Sequence, residues 1–349
     1  MKAIVVTGGA GFIGTHLCAE LMERYFPEFT IIAVDDLSGS RLANVSSLME
    51  KGLIFEKIDL RDQKKVAHFF EAYDFEELYC LYLASAAHEG RSFYTPNENM
   101  SRNDQAYRIF LTEAIKNNLK KIVVFSSMSR YGDGDGGKYK PPFSEQVPTN
   151  PIDPYAVSKV CMEQLTQCQS KVFGFDYTIL VPHNVFGEKQ MYWDPYRNVL
   201  GIWMNLILQK NQPVIYGDGE QTRAFSYIGN CKKGMVDALF KKKTSGEVIN
   251  IGGIKEYSLN EAFGVFQKVT NQKISPKYLP DRVQEAKHSY CSFKKSIDFL
   301  GYEEKVSFSE GLENMWRFTK KKGPKAFAFL DSLEIWNEET PAPWIKKKF

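Results

Sequence analysis

Tyr155 and Lys159 stand four residues apart in Tyr155-Ala-Val-Ser-Lys159, the spacing that puts two side chains on one face of a helix. A free phenol titrates near ~10 and is a poor base at neutral pH; an ammonium one turn away favours the phenolate and so makes a proton acceptor of it. Tyr-x-x-x-Lys also occurs in ordinary amphipathic helices, so the pair takes its meaning from its surroundings. Upstream, the apolar run Lys121–Phe125 leads into Ser126-Ser127-Met128-Ser129-Arg130-Tyr131-Gly132. A hydroxyl there could relay a proton or hold a substrate hydroxyl. It could equally satisfy its own loop backbone.

A second constellation opens the chain. Directly after Ala3–Thr7 comes Thr7-Gly-Gly-Ala-Gly-Phe-Ile-Gly14, readable as Gly8-x-x-Gly11-x-x-Gly14 or Gly9-x-Gly11-x-x-Gly14. Glycines permit a tight turn and a close backbone approach to a pyrophosphate, and the last lets the following helix pack on the sheet. The N–H groups and positive dipole end of that helix would face the phosphates. Asp35 lies 21 residues past Gly14, where a carboxylate holds the ribose 2′-hydroxyl and repels a 2′-phosphate. NAD is therefore expected over NADP, with Asp36 and Arg41 close by.

These residues need a scaffold that brings strand ends together. Short apolar runs at Ala3–Thr7, Thr30–Asp35, Leu53–Asp59, Leu78–Ala84, Lys121–Ser126 and Tyr177–Val181 predict strands. Amphipathic stretches at Gly11–Tyr25, Arg41–Glu50, Asp62–Tyr73, Asn97–Asn118 and Pro154–Phe173 predict helices between them. That alternation implies an α/β fold with a doubly wound parallel sheet, covered on both faces. After Val181 the rhythm breaks into loops at Pro182–Arg197 and Gly217–Gln221, with a helix from about Asn198 to Lys210. A strand at Val248–Gly252 could return to the sheet. The expected division is a dinucleotide-binding domain of residues 1–181 plus about 225–253, and a smaller, mainly C-terminal substrate-binding domain of 182–224 and 254–349. No motif marks the segment Phe327–Phe349.

Bulk properties exclude several classes. The 349 residues carry a formal charge of only +3, with 43% hydrophobic and 25% charged residues, which gives no case for nucleic acid. Lysine clusters at Lys241–Lys243, Lys320–Lys322 and Lys346–Lys348 read as solvated helix ends and a tail. The longest apolar stretch, Leu78–Ala87, is far short of the ~20 residues that span a bilayer, so no membrane partner is expected. The first strand begins at residue 2, which leaves no room for a leader. The six cysteines show neither CxxC pairs nor metal-ligand spacing, so no metal is expected and the cytoplasm is the natural compartment.

Taken in order, Thr7–Gly14, Val34-Asp-Asp-Leu-Ser-Gly39, Ile58-Asp-Leu-Arg-Asp62, Leu83-Ala-Ser85, Ser126–Gly132, Tyr155–Lys159, Pro182-His-Asn-Val-Phe-Gly187, Gly217–Phe225 and Asn250-Ile-Gly-Gly253 resemble the extended short-chain dehydrogenase/reductases. Specifically, they resemble the NAD-dependent nucleotide-sugar epimerases and dehydratases, of the UDP-glucose 4-epimerase kind. The resemblance implies a Rossmann fold and assigns roles by position. Gly8, Gly11, Phe12, Ile13 and Gly14 would cradle NAD, with Asp35 on its ribose. Asp59 and Leu60 would border the adenine, Leu83 and Ala84 would line the dinucleotide, and Pro182 would lie by the nicotinamide. Ser127 would hold the catalytic Ser/Thr position, Tyr155 would be the general base and acid, and Lys159 would also bind the nicotinamide ribose. Asn103 matches a helix asparagine near the site. Ser127 and Asn184 would touch the nucleotide-sugar, and Arg223 and Arg282 its diphosphate, as suits guanidinium forks.

The resemblance further implies a polysaccharide or glycoconjugate route and a homodimer formed through two helices per subunit. Dehydratases and decarboxylases of this group carry an acid just after the catalytic Ser/Thr, where this chain has Met128 and Ser129. The simplest fate follows: a 4-keto sugar turns over and hydride returns to its other face, giving the C4 epimer of a UDP-sugar. An epimerase, reductase or 4,6-dehydratase on a GDP-, CDP- or dTDP-sugar is the alternative, and a non-catalytic NAD-binding scaffold is a second. The chain departs from the pattern at Arg130, where an apolar residue usually precedes Tyr-Gly, at Val181 in place of a frequent arginine, and through Ala87–Ser92. There His88 reads as a hydrogen-bonded loop histidine before it reads as a substrate contact.

Overall fold

The computed structural model describes residues 1–282 and 285–349. Seven strands form the central sheet: β1 (Lys2–Thr7), β2 (Thr30–Asp35), β3 (Ile54–Lys57), β4 (Glu77–Tyr82), β5 (Leu119–Phe125), β6 (Asp176–Pro182) and β7 (Glu247–Ile251). Their order is β7-β6-β5-β4-β1-β2-β3, and every pairing is parallel. The sequence dictates this: successive residues of one strand enter opposite cores. Ile4, Val6, Ile31, Ala33, Val123 and Phe125 face one apolar cluster, and Ala3, Val5, Ile32, Val34, Ile122 and Val124 the other. A sheet buried on both faces needs apolar residues at both parities, and each such side chain taken from water stabilises the fold by roughly 1.5–3 kcal/mol.

The order in which strands are added reverses between β1 and β4, whose parallel C-terminal ends border one crevice, the place where open parallel sheets bind ligands. The helix after the glycine loop is Phe12–Arg24, and the helix carrying Tyr155 and Lys159 is Pro154–Phe173. The latter starts sharply because the Asp153 carboxylate accepts from Ala156 N at 2.8 Å and Pro154 fills the first turn; it ends at Gly174 with φ 75°. Both devices follow ordinary capping chemistry. Small elements after Pro182 pack against the first apolar cluster, which runs on through Trp203, Phe225, Phe263 and Met315.

Two expected helices differ. Arg41–Glu50 is only a 3-10 turn, Leu42–Asn44, followed by one helical turn, Ser46–Met49, because Asn44 Nδ2 is drawn to Ala10 O at 2.9 Å and anchors the loop. Asn97–Asn118 is interrupted: Pro96–Met100 passes into a π turn at Ser101–Gln105 before Ala106–Lys116. π turns mark places where a side chain is re-aimed, and here the fully buried Asn103 uses all of its amide. Its Oδ1 accepts from Ala86 N at 2.7 Å, and its Nδ2 donates to Ser158 Oγ at 3.0 Å. The predicted strand Val248–Gly252 does return to the sheet, shifted by one residue as β7. No described helix is long and apolar enough to cross a membrane.

Candidate active site

A cleft of about 1030 Å³ follows the C-terminal edge of the sheet. Its floor is the glycine loop. Gly8 has φ +66°, and a Cβ at Gly14 would lie 2.1 Å from the Gly8 carbonyl oxygen, so only glycine fits there. Gly11 caps the helix Phe12–Arg24 without any side-chain hydrogen bond, leaving the first N–H groups for an anion in the cleft. Asp35 closes β2. One carboxylate oxygen accepts from Ala10 N at 3.1 Å and the other from Leu37 N and Ser40 Oγ at 2.8 and 2.7 Å. Burial raises its pKa, and these bonds lock its position while lone pairs remain for a ribose hydroxyl.

The residues assigned to the cofactor meet along one wall. Gly8, Gly11, Phe12, Ile13, Gly14, Asp35, Asp59, Leu60, Leu83, Ala84, Tyr155, Lys159 and Pro182 all line the cleft. A glycine cradle with no room for a Cβ, an uncapped helix terminus and a carboxylate ending β2 fit a dinucleotide. Asp59 departs in one respect: its carboxylate is held by Arg61 at 2.6 Å and kept below the usual carboxylate range by that contact.

Tyr155 and Lys159 share a helical face, but the ammonium's hydrogen bond runs elsewhere. Lys159 Nζ donates to Phe125 O at 2.8 Å and lies 5.7 Å from the Tyr155 ring centre. Burial brings the Lys159 pKa down to about 7, with the Glu163 carboxylate opposing it. Burial pushes the Tyr155 phenol above its ordinary value; Ser127 works against that rise, and Glu89 and Asp153 add to it. The phenolate expected from the i, i+4 spacing is therefore not the form this protein environment alone favours. Desolvation outweighs a cation whose donor points at a backbone carbonyl.

Arg130 finds its partner in Glu163, one turn beyond Lys159: Nη2 meets the carboxylate at 2.9 Å with both side chains buried. Ser126 donates to the same Glu163. His88 is a buried loop residue, its Nε2 2.9 Å from Asp194 Oδ2. Burial lowers its pKa to about 4, so the imidazole is neutral and the nearby cation is Arg197, whose Nε is 3.3 Å from Asp194.

Ser127, Asn184, Arg223 and Arg282 do not line this cleft. Asn184 adopts φ +41° and donates to Ala224 O at 3.1 Å. Arg223 and Arg282 converge on one carboxylate, Glu285, at 3.0 and 2.8 Å. Sequence reasoning missed that shared counter-ion. It also missed the far wall of the cleft, built by the C-terminal segment through Lys325, Ala328, Phe329 and Leu330. That segment is tied down by Ala328 N to Trp193 O at 3.0 Å and Leu330 N to Tyr196 Oη at 3.1 Å. Its Trp344 is 4% exposed and packs edge-on against Tyr196. The density of aromatics in Phe327, Phe329 and Trp344 was the available signal.

Sheet order, glycine cradle and the Tyr155–Lys159 face define a dinucleotide-binding α/β enzyme. Residues 4–252 match the family model of the NAD dependent epimerase/dehydratase family, and the chain belongs to that family and depends on NAD. The UDP-glucose 4-epimerase of Thermotoga maritima, solved with UDP-glucose, is similar at 29% identity and TM-score 0.83, over 92% of this chain and 99% of that one. The UDP-glucuronic acid 4-epimerase of Bacillus cereus, solved with UDP-glucuronic acid and NAD, is 28% identical at TM-score 0.82, over 92% of this chain and 100% of that one. The human dTDP-D-glucose 4,6-dehydratase is 29% identical over 320 residues, 89% of this chain and 88% of its own length.

Proposed function

We propose that the chain is an NAD-dependent nucleotide-sugar 4-epimerase, with a UDP-sugar as substrate. The observation that carries this reading is the grouping of Ser127, Tyr155 and Lys159 beside the cleft, followed on the same loop by Met128, which is 5% exposed and cannot act as an acid. A transient ketone with no acid on that loop to drive elimination has one simple fate, reduction from its opposite face. When bound, the nicotinamide accepts the C4 hydride and gives it back, so there is no net redox change. The glycine loop would hold the diphosphate, Asp35 the adenosine ribose, and Lys159 with Tyr155 the nicotinamide ribose. Ser127 and Tyr155 would orient O4 and take its proton. Asn184, Arg223 and Arg282, with residues 182–224 and 254–349, would bind the nucleotide-sugar.

Purified protein incubated with UDP-glucose, UDP-N-acetylglucosamine and UDP-glucuronate, followed by anion-exchange chromatography, tests the reading. One of them is expected to yield its 4-epimer without accumulation of NADH. If none does, the reading is wrong; loss of water from a dTDP-sugar would point instead to the dehydratase activity carried by the human relative's name. The homodimer belongs to this proposal, and size-exclusion chromatography with light scattering tests it.

A further inference from the structure

Glu89 stands between the groups assigned to the two ends of the sugar. On one side its carboxylate accepts from Ser129 Oγ, which lies 2.8 Å from Ser127 Oγ. On the other, its neighbour Gly90 faces Arg282: a Cβ on Gly90 would lie 3.7 Å from Arg282 Nη1. The backbone is held as well as the tip. Ser92 Oγ donates to Glu89 O at 2.6 Å and accepts from Tyr155 N at 3.2 Å, so the single turn Glu89–Ser92 is fastened to the start of the helix Pro154–Phe173. Ser92 is fully buried, yet Glu89 is exposed. A charged side chain tied at both ends and left facing solvent acts on whatever binds beside it.

We propose that Glu89 selects the substrate by charge, so that the hexose site takes a neutral sugar and rejects one bearing a carboxylate, such as a uronate. This rests on the nucleotide-sugar reading above and narrows it. A hexose whose O4 meets Ser127 and Tyr155 while its diphosphate meets Arg223 and Arg282 must pass Glu89. Sugar hydroxyls can donate to the lone pairs of Glu89 that Ser129 leaves free, whereas a sugar carboxylate has no proton to offer and is repelled. The surrounding charges do not cancel that repulsion. Arg223 and Arg282, which act on Glu89, converge on Glu285 and would take the diphosphate. Arg197 is paired with Asp194 at 3.3 Å. Arg91, on the same turn as Glu89, is buried over the Tyr196 ring and turns to Glu98 at 3.5 Å. Asp153 adds a second acid beside Glu89. Like charges about 4–6 Å apart, at the effective dielectric of ~20 found near protein surfaces, repel by enough to cost about tenfold or more in affinity.

UDP-glucose and UDP-glucuronate differ only at C6, a hydroxymethyl group against a carboxylate, and their binding can be compared without turnover. Calorimetric titration of each, and of UDP, into NAD-saturated protein at about pH 7.5 tests the filter. The wild type is expected to bind UDP-glucose at least tenfold more tightly than UDP-glucuronate, by a ratio that shrinks as salt screens the repulsion. Glu89→Gln keeps an oxygen for Ser129 and loses the charge. It is expected to bring the ratio within about threefold by tightening UDP-glucuronate, to remove the salt dependence of the ratio, and to leave UDP affinity within about threefold. Equal binding of the two sugars by the wild type overturns the proposal. So does a ratio that survives Glu89→Gln; if that ratio then collapses in Asp153→Asn, the filter belongs to Asp153.

Turnover separates this proposal from the reading it rests on. If the binding preference holds and is lost in Glu89→Gln while no sugar yields its 4-epimer, the charge filter stands and the epimerase reading falls. If UDP-glucuronate is epimerised with a kcat/KM equal to that of UDP-glucose, the epimerase reading stands and the filter falls.

Discussion

The guanidinium of Arg130 and the carboxylate of Glu163 meet at 2.9 Å with both side chains buried. The pair sits against the helix Pro154–Phe173, because Glu163 follows Lys159 by one turn and also accepts from Ser126. A charge that looked out of place in the sequence is thus part of the support behind the site. Removing one member strands the other in a dry environment, which costs about 3–5 kcal/mol, whereas removing both costs far less. Arg130→Met and Glu163→Gln are each expected to destabilise strongly, and the double variant to recover most of the loss. Urea denaturation of the four proteins checks it; additive losses would mean that the pair carries no coupled energy.

The glycine cradle makes a sharper claim. A Cβ at Gly14 would sit 2.1 Å from the Gly8 oxygen and 2.9 Å from Gly9 Cα, so Gly14→Ala must push the helix Phe12–Arg24 away from the loop. NAD affinity is expected to drop at least a hundredfold, on the order of 3 kcal/mol by the usual conversion, with a lower melting temperature. Calorimetric titration with NAD measures this directly. Retention of wild-type affinity would show that the loop yields easily and that the backbone approach to a diphosphate is not the source of binding.

The parallel sheet was legible because apolar residues occupy both parities of each strand, as Ile4 and Val5 do in β1 and Val123 and Val124 in β5. The glycine loop and its place in the cleft were legible for a related reason: a strand, a glycine turn and a helix terminus are consecutive in the chain, so local spacing carries the geometry. Contacts between distant segments left no such trace. Glu285 as counter-ion to both Arg223 and Arg282 depends on how the last third of the chain folds back. Lys159 choosing Phe125 O over the phenol is a matter of ångströms that i, i+4 spacing cannot decide. Periodicity also overstated the helix at Arg41–Glu50, where Asn44 is claimed by Ala10 O.

Asp153 gives a pH prediction. Burial, aided by the Glu89 carboxylate, raises its pKa to about 7 from an ordinary value of 3.8. The folded state therefore holds this proton more tightly than the unfolded state. The stability it contributes is complete below the unfolded pKa and is lost as pH climbs toward the folded one. Asparagine caps a helix about as well as aspartate and carries no charge. Asp153→Asn is expected to be nearly neutral at pH 4.5 and to stabilise by on the order of 2 kcal/mol at pH 8. Melting temperatures of both proteins across that range test it, and parallel curves would place the Asp153 titration elsewhere.

The C-terminal segment closes one side of the cleft and contributes no strand to the central sheet, which makes it removable without unfolding that sheet. Trp344 is buried against Tyr196 and Tyr94, with ring centres 5.1 and 5.8 Å away. The Glu334 carboxylate accepts from Asn97 N and Glu98 N, both at 2.8 Å, at the start of the turn Pro96–Met100. Most of the residues between Lys325 and Pro341 make no helix or strand, so loss of an anchor should free the segment locally rather than lower global stability. Trp344→Ala is expected to make residues 326–349 at least tenfold more sensitive to limited proteolysis, to speed NAD release severalfold, and to shift the melting temperature by only about 3 °C or less. Glu334→Gln keeps the size but weakens the charge at the helix start, so it should show the same pattern in milder form. If Trp344→Ala leaves NAD release unchanged while the segment is readily cleaved, the segment covers the cleft without retaining the cofactor, and the wall formed by Phe329 and Leu330 contributes nothing to its hold.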